Sequence, residues 1–503
     1  MTPGATRDAH AATLVEPPRW TTRQGAWLFV ARTLPQVNVL VVAIVAARVL
    51  GADGMGRQTL IAFVCLCVFM AVTGGLPTAV LRHVSERIGA NDAGQAQALV
   101  AWHRNVARAA AAVGALALAA VALWGAMPQL AWLLGGIVVA ARVLHSAPSA
   151  VLQALRHWRD ANVAGVTTGT LGAAGIVIAL LAGGGIVGIF AVEAVAAVAS
   201  YLWTARLAAR AAASWPRGEA IARPLERDVL RFTWRATLGV ALMFVVWQRS
   251  ELLFLGHFSG DAAVAVFSVA SAAINALRMP FDVAASIVLP TVAAFAGAGS
   301  LAQMHDGFRR VARLTLHGSI VAAAAAFVLG PPLVTMLFGA QLAPAEGVLA
   351  ILCVAFPVVP LGLVGSALLG GLGRQGAVLA TTAGGAAISL ALDFLLIPPL
   401  GATGAAWANV MAQASTALAL TALAARATGG MRLHPGRLLA IGAGSIAAAA
   451  LAWLALRAIG GIAGVIVGGA AFAAVLLLAE VLWGLLDAPD REWLKARLRA
   501  CAS

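Results

Sequence analysis

The sequence predicts an all-α polytopic membrane protein of about 14 transmembrane helices, organised as two six-helix lobes related by a pseudo-two-fold axis and followed by a C-terminal helix pair. Three observations lead there. Of 503 residues, 61% are hydrophobic and only 11% charged, with a mean hydropathy of +0.91, a balance unlike that of a water-soluble domain. Apolar stretches of about 20 residues, long enough to cross a hydrocarbon core, recur between polar or Gly/Pro punctuation. Arginines gather in alternate connections between those stretches.

The expected spans, in order, are Ala26–Leu50 and Gln58–Leu81, Val106–Met127 and Leu130–Leu155, then Ala161–Ala182 and Ile186–Leu207. A basic stretch intervenes before Arg231–Leu255, Ala262–Pro290, Val311–Phe338, Gly347–Gly370, Ala377–Ile397 and Gly404–Ala425. Leu438–Arg457 and Ala463–Leu486 form the last pair. A helix satisfies its own backbone hydrogen bonds in lipid, which makes it the default for each span. The corresponding segments are an N-terminal stretch 1–25, a first lobe 26–207, a basic linker 208–230, a second lobe 231–426, the added pair 427–486 and a tail 487–503.

The net charge of +14 raises the question of a nucleic-acid partner, but the arginine positions describe topology instead. Arg7, Arg19 and Arg23 precede the first span, and Arg82, Arg87 and Arg104 follow the second. The series continues through Arg156 and Arg159, Arg210 to Arg227, Arg309 and Arg310, Arg374, Arg432 and Arg437, and ends with Arg491 to Arg499. The intervening loops hold little beyond Arg48, Arg57 and Arg457. By the positive-inside rule both termini are expected in the cytoplasm. The first twenty residues contain no apolar run of signal-peptide length, so no cleavage is expected. Cys65, Cys67, Cys353 and Cys501 are too scattered for a disulfide framework. The sequence holds no metal-ligand cluster, nucleophile elbow or phosphate-binding loop, so no metal, cofactor or enzymatic activity is expected.

An internal duplication is readable. "VLGADGMGRQTLIAF" (49–63) and "FLGHFSGDAAVAVF" (254–267) share a Leu-Gly opening, a second glycine and an apolar helix ending in Phe. "GIVGIFAVE" (185–193) aligns without a gap on "GATGAAWAN" (401–409), matching Gly185 with Gly401, Gly188 with Gly404 and Glu193 with Asn409. Six helices return the chain to its starting side, so the copies are parallel repeats with a cavity between them. The linker carries Trp215 and Ile221 among its charges and reads either as an amphipathic stretch on the inner leaflet or as a solvated connector.

Ionisable residues within spans cost roughly 2.5–3.5 kcal/mol each at a helix centre even on lenient scales, and so mark function. Arg32, Arg142, Arg249 and Arg278 are the interior bases. Glu193, Glu251, Asp282, Asp393 and Glu480 are the acids. Arg278 and Asp282, four apart, are placed to form an ion pair on one helix face. Arg142 shares a face with His145 and Ser149, a stripe expected to line an aqueous cavity; snorkelling or interhelix pairing is the alternative for Arg32 and Arg142. An interior with more arginine than acid suits an anion, and the planar guanidinium fork suits phosphate. Pro35, Pro148, Pro280, Pro357 and Pro360 are candidate bends, static or moving. In "DFLLIPPLGATGAAWANVMAQ" (393–413) a Pro-Pro-Leu-Gly reversal brings Asp393 and Asn409 onto facing helices within pairing reach, where with Glu193 they are candidates either for closing the outer gate or for clamping two helices together.

Several of these stretches resemble the bacterial polysaccharide repeat-unit exporters, the O-antigen, capsule and exopolysaccharide flippases of the multidrug/oligosaccharidyl-lipid/polysaccharide superfamily. "ARVLGADGMGRQTLIAFV" is similar to that family's first hairpin, and "GLPTAVLRHVSERIGANDAGQAQ" to its first cytoplasmic loop. "RSELLFLGHFSGDAAVAVFSVASA" resembles its seventh and eighth helices, and 336–374 its tenth and surroundings. The resemblance implies alternating access by two rocking lobes in the bacterial inner membrane. The implied cargo is an undecaprenyl-diphosphate-linked oligosaccharide for lipopolysaccharide or exopolysaccharide biosynthesis, with membrane lipids, polysaccharide polymerase and glycosyltransferases as partners. On this reading Arg32, Arg142, Arg249, Arg278 and His145 bind substrate, and Glu193, Glu251, Asp282, Asp393 and Asn409 gate or couple. The related lipid II flippases are similar in their cavity arginines and extra C-terminal helices, but the run "PQVNVL" replaces a second early arginine. A multidrug/cation antiporter of the same superfamily is the competing reading.

Overall fold

The computed structural model describes residues 22–483, apart from 91, 156, 217–219, 248–249, 298–300 and 431–434. Its helices are α1 (Thr22–Thr73), α2 (Leu76–Gly89), α3 (Ala93–Leu123), α4 (Gln129–Ala154), α5 (Trp158–Leu181), α6 (Gly185–Ala211), α7 (Arg223–Trp247) and α8 (Glu251–Phe258). They continue with α9 (Asp261–Gly297), α10 (Leu301–Phe338), α11 (Ala345–Ala355), α12 (Val359–Gly371), α13 (Gln375–Ala427), α14 (Pro435–Ile459) and α15 (Gly461–Trp483). Among the described residues 10 of these helices are long and apolar enough to span a membrane, and the protein is a multi-pass membrane protein.

Two of the helices are folded hairpins. The 53 residues of α13 would run about 80 Å if straight, far beyond a hydrocarbon core of about 30 Å. Gly401 breaks the helix at φ 56, in the left-handed region. A Cβ added at Gly404 would come 2.1 Å from the Leu396 carbonyl oxygen, an approach possible only when the chain doubles back. The same logic divides the 52-residue α1 at Gly51, φ 74. α11 and α12 form one broken pass, bent by 44° around Pro357. With α1 and α13 each counted as two passes and α11 with α12 as one, thirteen passes result among the described residues.

The duplication has a backbone signature at one of its two expected places. Gly185 and Gly401 have φ of 57 and 56, so the gap-free alignment matches like conformations. The other alignment shifts: Gly51 is left-handed, but its partner Gly256 lies inside α8, and the left-handed residue of the second copy is Gly260, φ 82.

Helix contacts rely on small residues, as expected where lipid offers no hydrophobic gain for association. α12 lies against α13 so closely that a Cβ on Gly362 would meet Ala417 at 2.5 Å. In the first lobe α4 packs between α3 and α6, and α1 covers its inner side. In the second lobe α9 contacts α10, α11, α12 and α13. The final pair α14 and α15 seats on α10, burying Ala448, Ala452 and Phe472 against Val321, Val328 and Leu329.

The second expected span, Gln58–Leu81, ends at Thr73; its last residues and the start of the connection form a separate helix, α2, whose Leu76, Val80 and Val84 are buried at helical spacing. The segment between α6 and α7 carries Trp215 and Ile221, which pack on the cluster that contains Leu76, Val80 and Leu99. Gln95 clamps that segment, donating to the Ala220 carbonyl and accepting from the Ala222 amide at 2.9 Å. Pro35, Pro148 and Pro280 lie inside helices α1, α4 and α9, whereas Pro357 lies at the 44° break between α11 and α12 and Pro360 in the first turn of α12.

Candidate functional site

At the arginine-poor end the lobes are latched. Arg48 donates from Nε to the Leu337 carbonyl at 2.8 Å and from Nη2 to that of Met336, reaching the carbonyl-rich C-terminus of α10 where a cation is favoured. Arg57 pairs with Asp261 at 2.8 Å, and Gln341 donates to the Ala47 carbonyl at 2.8 Å. A Cβ on Gly56 would fall 1.7 Å from the Asp261 carbonyl oxygen, so the first turn of α9 sits directly on α1. Beneath these contacts Ala47, Met55 and Phe63 share one core with Leu252, Phe267, Leu349 and Ala405. Sequence reasoning passed over Arg48 and Arg57 because their acceptors include backbone carbonyls of another lobe, which leave no sequence signal.

Among the described residues the first lobe holds one interior ion pair. Arg142 of α4 reaches Glu193 of α6, Nη2 to Oε1 at 2.6 Å, with side chains 47% and 26% exposed. Gly135, seven residues earlier on the same face, packs on Cys65 of α1, so Arg142 points toward the inner side of the lobe while keeping contact with solvent-accessible space. On the expected polar stripe, His145 hydrogen-bonds Thr204 of α6 at 3.1 Å, while Ser149 accepts from Gln153 of its own helix at 2.9 Å.

The second lobe places its polar groups differently. Glu251, 1% exposed at the start of α8, accepts from Asn409 Nδ2 at 2.7 Å. Asp393, fully buried on α13, accepts from Ser250 at 3.5 Å and lies within electrostatic reach of Glu251. Asp393 and Asn409 therefore do not pair with each other; α8 inserts between them and takes one partner each. Asp393 Oδ1 has no hydrogen-bond partner among the described residues. Arg278 and Asp282 make the expected i,i+4 pair at 3.3 Å on α9. Asp282 also lines a cleft of ≈ 540 Å³ together with Ser286, Ser366, Gln375 and Thr382. Those four neutral groups were not legible beforehand, since an isolated Ser or Thr in an apolar helix usually bonds its own backbone. The Arg32 side chain, Arg249 and the Glu480 side chain lie outside the described residues.

The site is thus a set of cationic and acidic groups distributed over two helical lobes, with the lobes joined by reversible polar contacts at one end.

Solved structures share this fold. The chain aligns over 91% of its length with 98% of the lipid II flippase MurJ in an inward closed conformation, TM-score 0.73 at 12% identity. An inward-facing multidrug resistance MATE family transporter of the MOP superfamily aligns over 80% of this chain and 98% of its own, TM-score 0.67 at 17% identity. An outward-facing multidrug resistance MATE family transporter aligns over 79% and 95%, TM-score 0.55 at 17% identity. No family model and no curated protein matches the sequence. At these identities the likeness establishes the fold: the all-α, multi-pass architecture of that superfamily's transporters.

Proposed function

We propose that the protein is a flippase that carries a lipid-diphosphate-linked oligosaccharide across the bacterial inner membrane by alternating access, for cell-surface polysaccharide biosynthesis. The observation that carries this reading is the extent of the fold match. The flippase alignment takes in 91% of the chain, the multidrug alignments about 80%, and the chain possesses an extra helix pair, α14 and α15, packed on α10. On this reading the duplication sets lobes at 26–207 and 231–426, and the arginine distribution puts both termini in the cytoplasm.

In this reading Arg142 is held by Glu193 while no headgroup is present. An entering diphosphate offers the guanidinium a doubly charged, bidentate acceptor and displaces the carboxylate. Arg32, Arg249, Arg278 and His145 are assigned to the same headgroup, and His145 also joins α4 to α6. Glu193, Glu251, Asp282, Asp393 and Asn409 gate or couple: the buried acid set under the latch changes partners when Arg48 and Arg57 let go and the lobes rock. Polymerase and glycosyltransferases are the neighbouring activities that would consume and supply such a cargo. A lipid II-type cargo shares the same diphosphate chemistry.

A multidrug/cation antiporter is the second reading. It is favoured by the buried acids Glu251 and Asp393, and by the carboxylates that meet both described interior arginines, Arg142 and Arg278. Proteoliposomes separate the two. Flipping of a fluorescent lipid-diphosphate sugar, lost on Arg142→Ala, supports the flippase; drug-stimulated proton or sodium exchange without such flipping replaces it with the antiporter.

A further inference from the structure

A second cleft, ≈ 460 Å³, lies in the first lobe between α3 and α6 over the floor of α4. Gln97 and Arg104 of α3, Leu144, Pro148 and Val151 of α4, and Tyr201 of α6 line it. On α4 the stripe Leu144, Pro148, Val151 continues, at helical spacing, the exposed residues Leu130, Leu133 and Ile137. It is opposite the face that carries Gly135 and Arg142, which turns toward α1. The cleft therefore opens outward to lipid and is separate from the transport site.

Depth follows from helix geometry. Trp124, 91% exposed, marks the arginine-poor end of α3. The twenty residues back to Arg104 cover about 30 Å, the thickness of the hydrocarbon core. Arg104 thus reaches headgroup level at the opposite, arginine-rich surface, the inner leaflet by the positive-inside rule. Tyr201, sixteen residues into α6, lies about 24 Å from the start of that helix, just inside the boundary where amphipathic rings settle. Arg104 is exposed and has no hydrogen-bond or ion-pair partner among the described residues. Pro148 has no N–H to give the Leu144 carbonyl, which removes one helix hydrogen bond at the floor of the cleft.

The geometry points to a resident anionic phospholipid of the inner leaflet in this cleft, its phosphate on Arg104, its glycerol region beside the Tyr201 hydroxyl and Leu144 carbonyl, and one acyl chain along α4. Charge complementarity selects the headgroup and the apolar floor selects a lipid over a free anion. The C-terminal pair covers the flank of the second lobe at α10, whereas this flank of the first lobe is left to lipid. The inference is independent of what the protein transports.

Native mass spectrometry of the full-length detergent-purified protein, titrated with phosphatidylglycerol and phosphatidylcholine, tests it. The wild type should retain one phosphatidylglycerol about fivefold better than phosphatidylcholine, the factor for one arginine at an anionic headgroup. Arg104→Gln should abolish that preference, Arg104→Lys should keep most of it, and Arg210→Gln, an exposed arginine outside the cleft, should leave it unchanged. Ala205→Trp, which fills the cleft, should lower retention of both lipids. Undiminished preference in Arg104→Gln, full retention in Ala205→Trp, or displacement of the lipid by inorganic phosphate alone would each overturn the assignment.

Discussion

Glu193 in the first lobe and Asn409 in the second occupy the same address in the duplication, eight residues after a left-handed glycine, yet their surroundings are opposite. Glu193 is a carboxylate that meets a half-exposed arginine. Asn409 is an amide that donates to a buried carboxylate. One backbone frame thus presents a balanced, water-accessible ion pair on one side and a buried acidic set on the other. The difference teaches that the repeat fixes where a polar group stands, while the neighbouring helix fixes its chemistry: α4 supplies a base to the first, α8 an acid to the second.

The comparison can be broken at its hinge. A Cβ at Gly404 meets the Leu396 carbonyl oxygen at 2.1 Å, while one at Gly188 meets Ala179 Cβ at an ordinary 3.4 Å. Gly404→Val should cost about 3 kcal/mol or prevent accumulation of folded protein, since a backbone clash cannot relax. Gly188→Val should cost less than about 1 kcal/mol; thermal unfolding in detergent compares them, and equal losses would dissolve the distinction.

The polar partners come next. Asn409→Leu removes the donor to a buried carboxylate and should destabilise by about 1–3 kcal/mol. Glu193→Gln, at the exposed pair, should change stability by less than about 1 kcal/mol. Its consequence belongs in transport instead, where it should alter the rate and its pH dependence.

The smallest effect lies outside the membrane spans, on α2. Arg82 hydrogen-bonds Glu86 at 2.8 Å, and with His83 nearby it holds the Glu86 carboxyl below its ordinary value of 4.5. A depressed folded-state value stabilises above the unfolded pKa and is lost as pH falls through the folded one. A slight loss of stability below pH 4.5 that is absent in Glu86→Gln is the expected sign. Both side chains are half exposed, so added salt should erase it.

Much of the fold was legible because span length and arginine alternation are linear properties of the chain. The Pro-Pro-Leu-Gly reversal needed only local chemistry. Helix α2 was not read as a separate helix because Leu76 to Leu81 continue the apolar second span while Arg82, Ser85, Glu86 and Arg87 look like a loop, although its apolar residues keep helical spacing. The site was legible in its members more than in their pairing. Arg278 and Asp282 share one helix turn, so their contact could be read directly. Arg142 and Glu193 are 51 residues apart, and Asn409 and Glu251 158; only the packing of α4 on α6 and of α8 on α13 brings them together.

The central claim is that interior arginines receive a lipid-diphosphate headgroup. Its most direct measurement is translocation of a fluorescent lipid-diphosphate sugar in proteoliposomes by the Arg32→Ala/Arg142→Ala double variant, with membrane insertion checked in parallel. The account predicts insertion at the wild-type level with flipping reduced at least about tenfold, as expected for loss of charge-assisted contacts to phosphate. Flipping at the wild-type rate by the inserted double variant would contradict it.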